Sequence, residues 1–128
     1  MKLRKYIIIH CTATPEGRDI QPQQIIDWHI AGNGWKQVGY ADLVLLDGSI
    51  HNFVENNYDA FVDSWEITNG AKGFNQEALH ICYVGGQDKS RKPKNTLTEA
   101  QELALKNRIL HYISYWQDIK IDGHNQFS

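Results

Sequence analysis

A run of three isoleucines near the N-terminus constrains the fold more than any other feature of this sequence. Residues 7–9 are all isoleucine, and they lead directly into His10 and Cys11. Successive side chains of a strand point to opposite faces of a sheet, so three apolar neighbours require cover on both faces. The run therefore predicts a buried strand over residues 6–11, in a sheet that has helices packed against it.

Four further strands are predicted from apolar runs bounded by turn residues. They cover residues 40–46, 49–54, 78–84 and 119–121. Asp47-Gly48 joins the first two, and this dipeptide is typical of a two-residue hairpin turn. We expect the strand over residues 6–11 to be central, between the strands around Leu43 and Ile81.

Two helices are predicted. Pro22 suits the first turn of a helix that ends at the Gly-Asn-Gly of residues 32–34. A longer helix runs from Thr98 to Trp116, where Thr98 and Gln101 fit a capping box and apolar residues recur at a spacing of four. The helix from Thr98 should pack across one face of the sheet. The fold class is α/β (α+β mixed): one domain over residues 1–128, with a central sheet flanked by helices.

Composition narrows the function classes. Hydrophobic residues make up 41% of the 128 residues, which favours a folded core over disorder. A net charge of −2 does not indicate the basic surface that is typical of nucleic-acid-binding proteins. No apolar run approaches about 18 residues, so no membrane span is predicted. The apolar run over residues 6–9 is too short for a signal peptide, so we expect synthesis in the cytoplasm. Cys11 and Cys82 do not form a disulfide framework.

Two histidines stand at the ends of predicted strands. His10 follows the isoleucine run, and His124 follows the short strand over residues 119–121. Neutral imidazole is a common zinc ligand, although a single histidine at a strand end is more often a structural residue. His29, His51 and His111 are assigned to packing or surface roles.

Several separated motifs, taken in order, make a family resemblance. They are Ile9-His10-Cys11-Thr12-Ala13-Thr14, Trp28-His29, Gly34-Trp35, Val38-Gly39-Tyr40, Ala71-Lys72-Gly73-Phe74-Asn75, Ile81-Cys82-Tyr83-Val84-Gly85-Gly86 and the cap at Thr98–Gln101. This order resembles the zinc-dependent N-acetylmuramoyl-L-alanine amidases of the phage-lysozyme and peptidoglycan-recognition-protein superfamily. The resemblance covers nearly the whole chain.

The resemblance implies a peptidoglycan hydrolase that cuts the amide between the lactyl group of muramic acid and the first alanine of the stem peptide. It implies that His10 and His124 bind Zn²⁺ and that Tyr40 is catalytic, either by donating a hydrogen bond or by helping to move a proton. Trp35, Lys72 and Asn75 are candidate contacts to the muramyl peptide. Such an enzyme acts on the cell wall if it is released. The alternative is a peptidoglycan-binding module with an incomplete metal site.

The sequence departs from the family pattern in its metal site. The family's lysine and its third ligand, a cysteine or aspartate, are expected just past Ser128, so residues 1–128 alone should bind zinc weakly and be nearly inactive. A shortened form or fragment of a longer amidase, a truncated relative that binds without cutting, and a site completed by His80 are the alternatives. Gly70 and Ala41 also replace residues that are usual in the family.

Overall fold

The structure, a computed structural model, describes residues 2–71, 73–116 and 118–123. The strands are β1 (Lys2–Leu3), β2 (Tyr6–Cys11), β3 (Thr14–Pro15), β4 (Asp42–Val44), β5 (Ile50–Asn52), β6 (Phe61–Val62), β7 (Ala78–Tyr83), β8 (Gly86–Gln87) and β9 (Lys120–Gly123). The helices are α1 (Pro22–Ile26), which continues as a π-helix (Asp27–Gly32), a 3-10 turn (Ser64–Glu66) and α2 (Glu99–Ile113). None of the helices in these ranges is long and apolar enough to cross a membrane.

Five strands form the main sheet, in the order β5-β4-β7-β2-β9. The pairs β4–β7, β7–β2 and β2–β9 are parallel, and the β4–β5 hairpin is antiparallel. The predicted mixed sheet with flanking helices is confirmed. The predicted neighbours of β2 are wrong in one respect, because β7 lies between β2 and β4 and occupies the centre. Five of the six β7 residues are buried, as a central strand requires.

The isoleucine run of β2 is inside the protein, as predicted. Ile7 and Ile8 have no exposed surface, and Ile9 is half-buried. Ile7 faces α2, where it packs in a cluster with Ile81, Tyr112 and Trp116. Each fully buried isoleucine stabilises the fold by about 1.5–3 kcal/mol, so the strand is fixed in the sheet on both sides.

Helix α2 begins at the predicted cap. The Thr98 hydroxyl accepts a hydrogen bond from the Gln101 N–H, and the Gln101 side chain accepts one from the Thr98 N–H, both at 3.0 Å. The wholly buried Gln101 also donates to the Val84 carbonyl at 2.9 Å. Two leucines of the predicted helix, Leu103 and Leu110, are at least half exposed. They lie on the outer side of α2, away from the sheet.

A buried carboxylate joins α2 to the sheet. Asp42 of β4 has no exposed surface and accepts two hydrogen bonds from Arg108, both at 3.0 Å, and one from the Tyr112 hydroxyl at 2.5 Å. Asn52 of β5 donates a fourth at 2.8 Å. These three donors and the carboxylate, here called the Asp42 cluster, fix the position of α2 relative to β4.

The opposite face of the sheet supports the N-terminal helix and the loop before β7. Ile25 of α1 packs in a cluster that includes Leu43 and Cys82, while Ile8 packs with Ala71 and Ala78. Both Cys82 and Cys11 are free thiols. His10 lies on this face at the carboxyl end of β2, which places it next to the loops that follow the parallel strands.

Candidate active site

A cavity of about 550 Å³ opens at the carboxyl ends of the parallel strands. Its lining includes His10, His29, Trp35, Gly39, Tyr40, Asn69, Gly70 and Gly123. The volume falls within the usual range for small-molecule sites. Ligands of parallel sheets bind outside the carboxyl ends of the strands, where loops from several strands meet. This cavity is therefore the candidate active site.

His10 lies in the wall of the cavity and is 5% exposed. Its register partner across the sheet is Cys82, so the two side chains lie on the same face. His10 Nε2 lies 2.8 Å from Nδ1 of His80, which belongs to the next position on that face of β7. The ring centre of His10 lies 5.3 Å from that of Tyr40. Two of the residues that the sequence analysis assigned to the site, His10 and Tyr40, are thus neighbours.

Strand β9 ends at the same cavity. Ile9 of β2 pairs with Gly123 of β9, and both residues are in the cavity lining. The short final strand that the sequence analysis predicted over residues 119–121 is present, and it pairs with β2. His124, the residue after Gly123, lies outside the described residues. The second candidate metal ligand therefore stays a prediction.

Tyr40 is half-buried between two histidines. Its ring centre is 5.2 Å from that of His29, and the Cys82 thiol is among the groups near its hydroxyl. Burial raises the pKa of Tyr40 far above its ordinary value, and the neighbouring Cys82 and Cys11 act in the same direction. Burial therefore favours the neutral phenol of Tyr40, which can donate a hydrogen bond.

His29 is a lining residue that the sequence analysis assigned to ordinary packing. Its Nδ1 accepts a hydrogen bond from the Gly39 N–H at 2.8 Å, so in the neutral ring the proton is on Nε2. Burial lowers the pKa of His29 below its ordinary value of 6.5. A Cβ at position 39 would lie 2.9 Å from the His29 ring, so glycine permits this close approach. The sequence does contain a sign that His29 is buried. It follows Ile25 by four residues, and this spacing places the side chains of Ile25 and His29 on the same face of a helix.

Trp35 lies in the cavity wall, as expected for a residue that contacts a substrate. It is half-buried, and its ring centre is 4.7 Å from that of His29. Asn75 is placed differently, because its side-chain oxygen is used within the protein. That oxygen accepts the Ala71 N–H and contacts His80 Nε2, both at 2.9 Å. Lys72, the third candidate substrate contact, lies outside the described residues.

His80 does not complete a metal site in this arrangement. It has no exposed surface. Its Nδ1 contacts His10 and its Nε2 contacts Asn75, so hydrogen bonds within the protein engage both ring nitrogens. The histidine that the sequence analysis kept as an internal candidate ligand lies behind His10, as a neighbour of the candidate ligand.

In the described part of the chain, one group of three acidic side chains lies close enough to hold a metal ion. Its members are Asp59, Asp63 and Glu66. The buried guanidinium of Arg4 lies beside them, with Nη2 3.5 Å from Glu66 Oε1. Burial lowers the pKa of Arg4, and the three carboxylates act in the opposite direction. Arg4 offsets part of this negative charge, and the Asp63 and Glu66 side chains already accept hydrogen bonds within the loop, so we assign no metal to this group.

Comparison with known proteins decides the family. A model of the family described as N-acetylmuramoyl-L-alanine amidase matches residues 2–128. The chain belongs to this amidase family. The resemblance drawn from the motifs is thereby confirmed, and it covers the residues that form the cavity.

Relatives of the amidase family that are similar to this chain include phage proteins and bacterial enzymes. An endolysin of Escherichia phage T7 is 27% identical over 120 residues, which are 94% of this chain and 74% of the relative. The structure of the Ph2119 endolysin, from a Thermus scotoductus bacteriophage, has a TM-score of 0.76 and 27% identity, with 100% of this chain and 75% of that chain covered. The amidase LysC from Clostridium intestinale has a TM-score of 0.75 at 19% identity, with 98% and 72% covered, and that likeness concerns the fold.

Proposed function

We propose that this chain is a zinc-dependent peptidoglycan amidase that cleaves the bond between the lactyl group of muramic acid and the L-alanine of the stem peptide. The observation that supports this most strongly is the placement of His10 and Tyr40 in one cavity, at the carboxyl ends of β2 and its neighbours. Family membership gives the reaction class, and similarity to phage endolysins gives the substrate, bacterial peptidoglycan.

The residues around the cavity fit a bound zinc ion. His10 is buried, lies in the lining, and contacts the fully buried His80 through Nε2, which leaves Nδ1 as the nitrogen suited to a metal. We propose His10 and His124 as two of its ligands. Zinc, when bound, would polarise the amide carbonyl and lower the pKa of its bound water, which makes that water a nucleophile at neutral pH.

The remaining residues of the cavity bind and orient the substrate in this proposal. Tyr40, as a phenol, donates a hydrogen bond to the oxygen on which negative charge develops. Trp35 offers a flat apolar face for a sugar ring or the lactyl group. Lys72 and the amide nitrogen of Asn75 are proposed contacts to the stem peptide.

Product analysis of purified peptidoglycan tests the reaction. The complete gene product should release stem peptides with a new N-terminal alanine, a zinc chelator should stop this release, and added Zn²⁺ should restore it. His10→Ala should abolish the release together with zinc binding. Tyr40→Phe should lower turnover by about 100-fold, as for one donor to a developing oxyanion, with zinc binding retained.

His51→Ala is the matched control, because His51 is exposed on β5 and packs against Phe53, away from the cavity lining. It should retain full release. New reducing sugar ends in place of new amino termini would show cleavage of the glycan and contradict the proposal. Tight binding to peptidoglycan with no release by the zinc-loaded protein would identify a binding module instead.

A further inference from the structure

A line of hydrogen bonds extends behind the cavity from a loop to His10. The Asn75 side-chain oxygen accepts the Ala71 N–H at 2.9 Å and contacts His80 Nε2 at 2.9 Å. His80 Nδ1 in turn contacts His10 Nε2 at 2.8 Å. His80 has no exposed surface and His10 is 5% exposed, so water has little access to compete for these bonds.

The donor in each of these bonds follows from the first one. The backbone N–H of Ala71 can only donate, so the Asn75 atom beside it is the amide oxygen, which can only accept. His80 Nε2 must then hold a proton. A neutral imidazole has one N–H, so His80 Nδ1 is an acceptor and His10 Nε2 must donate to it. The proton of His10 is thereby on Nε2, and its Nδ1 is the unprotonated nitrogen.

The space around His80 is matched to its ring. A Cβ at position 70 would lie 2.4 Å from both Cγ and Nδ1 of His80, far closer than real contacts allow. Glycine at position 70 therefore leaves room for this imidazole between the loop and β7. The ring is held by the fit to Gly70 as well as by its hydrogen bonds to His10 and Asn75.

We propose that His80 and Asn75 are positioning residues that set the ring orientation and tautomer of His10, so that Nδ1 of His10 is the nitrogen presented to the metal. The importance of this for metal binding rests on the proposed function, in which His10 is a zinc ligand. A group that forms a hydrogen bond with the non-ligating ring nitrogen of a metal-binding histidine fixes the tautomer of that histidine. Loss of such a group typically lowers metal affinity by about 10–100-fold.

Histidine ring nitrogens can be observed directly in the metal-free protein by long-range ¹H–¹⁵N NMR. In the unchanged chain, His10 and His80 should each be the Nε2–H tautomer, with ring protons that exchange slowly with water. His80→Phe retains a flat ring but removes both nitrogens. It should abolish the protected His10 N–H and lower the affinity for Zn²⁺, measured by titration, by about 10–100-fold.

Two variants at Asn75 separate the hydrogen bond from the packing. Asn75→Leu removes the acceptor, so the His80 ring should lose its single tautomer and Zn²⁺ affinity should fall. Asn75→Asp retains oxygens that can accept from Ala71 and His80, so the single tautomer of His80 and the Zn²⁺ affinity should both be preserved. Gly70→Ala removes no nitrogen but displaces the His80 ring, and it should reproduce the effect of His80→Phe.

Leu79→Ala is the control for a general loss of stability, since Leu79 precedes His80 on β7 and faces α2 on the other side of the sheet. It should lower the unfolding midpoint without changing the His10 ring signals or Zn²⁺ affinity. An unchanged His10 N–H signal in folded His80→Phe, or a mixed tautomer of His10 in the unchanged chain, would overturn the positioning role.

The two proposals fail in different ways. If His10→Ala binds Zn²⁺ as tightly as the unchanged chain, the proposed metal site is wrong, while the ring-nitrogen spectra still decide whether His80 orients His10. If His10→Ala loses Zn²⁺ but His80→Phe and Asn75→Leu do not weaken it by at least severalfold, the metal site stands and the positioning role is refuted.

Discussion

Replacing Arg108 by methionine tests how the Asp42 cluster holds α2 on the sheet. Methionine retains an unbranched side chain but removes two hydrogen bonds of 3.0 Å to Asp42. The Asp42 carboxylate, with no exposed surface, would keep only the Tyr112 hydroxyl and the Asn52 amide as donors. Removing one partner of a buried ion pair costs about 3–5 kcal/mol. Arg108 has 21% of its side chain exposed, so some water can replace it, and we expect about 3 kcal/mol.

The reverse substitution, Asp42→Asn, should cost less. It leaves the charge on Arg108, which is partly exposed and packs over the Tyr112 ring at 4.8 Å. The guanidinium can therefore turn towards water. We expect the free energy of unfolding to fall by about 1–3 kcal/mol, which is the usual cost of leaving one buried polar group without its hydrogen bond. The double variant should cost less than the sum of the two single variants, because each single variant already removes the same ion pair.

Urea unfolding at constant pH measures all three variants. With a slope of roughly 1.5–3 kcal/mol per molar urea, the Arg108→Met midpoint should fall by about 1–2 M. Lys106→Met, the same loss of a cation at an exposed position of α2, is the control and should change stability by less than about 0.5 kcal/mol. Costs that add to within about 0.5 kcal/mol, or a greater cost for Asp42→Asn than for Arg108→Met, would refute the reasoning.

Three further perturbations can be checked independently. Thr98→Ala removes the side-chain cap of α2 and should lower the free energy of unfolding by about 1 kcal/mol, whereas Thr98→Ser should preserve it in the same urea assay. Because burial lowers the pKa of His29 below 6.5, the unfolded chain binds a proton before the folded one does as pH falls. Stability should therefore decline as pH falls from about 6.5 towards the lower folded pKa, and His29→Gln should flatten this decline in unfolding scans across that range. Trp35→Ala should raise the KM for peptidoglycan severalfold with a smaller effect on kcat, while Trp65→Ala, at a tryptophan that is 54% exposed, should change neither.

Local patterns in the sequence predicted the individual elements well. The isoleucine run predicted β2, because three consecutive apolar residues indicate a strand that is buried on both faces. Asp47-Gly48 predicted the β4–β5 hairpin, but the two-residue turn was wrong. Val44 pairs with Ile50 and the Leu45 N–H donates to the Ser49 carbonyl at 2.8 Å, so residues 46–48 form a three-residue turn. Thr98 and Gln101 predicted the start of α2. Each of these signals depends on residues that are close in sequence, and therefore on interactions that a short window contains.

Features that depend on residues far apart in the sequence were harder to predict. The strand order requires knowing that β7, rather than β4, pairs with β2, and no local pattern encodes that choice. The placement of His80 behind His10 follows from this same pairing, since Ile8 is the register partner of His80. His29 could have been placed at the cavity from its spacing of four from Ile25. What its neighbours would be depended on where α1 packs against the sheet.

The position of β9 at the edge of the sheet affects how the site opens. This four-residue strand pairs with β2 through residues Lys120–Gly123, and three of its four residues are exposed. Short, exposed edge elements open by local fluctuation at a smaller free-energy cost than a central strand such as β7. One wall of the cavity, at Gly123, can therefore separate from β2 while the core stays folded. Amide hydrogen exchange would then be faster in β9 than in β2, and a ligand bound in the cavity against His10 and Gly123 would slow it.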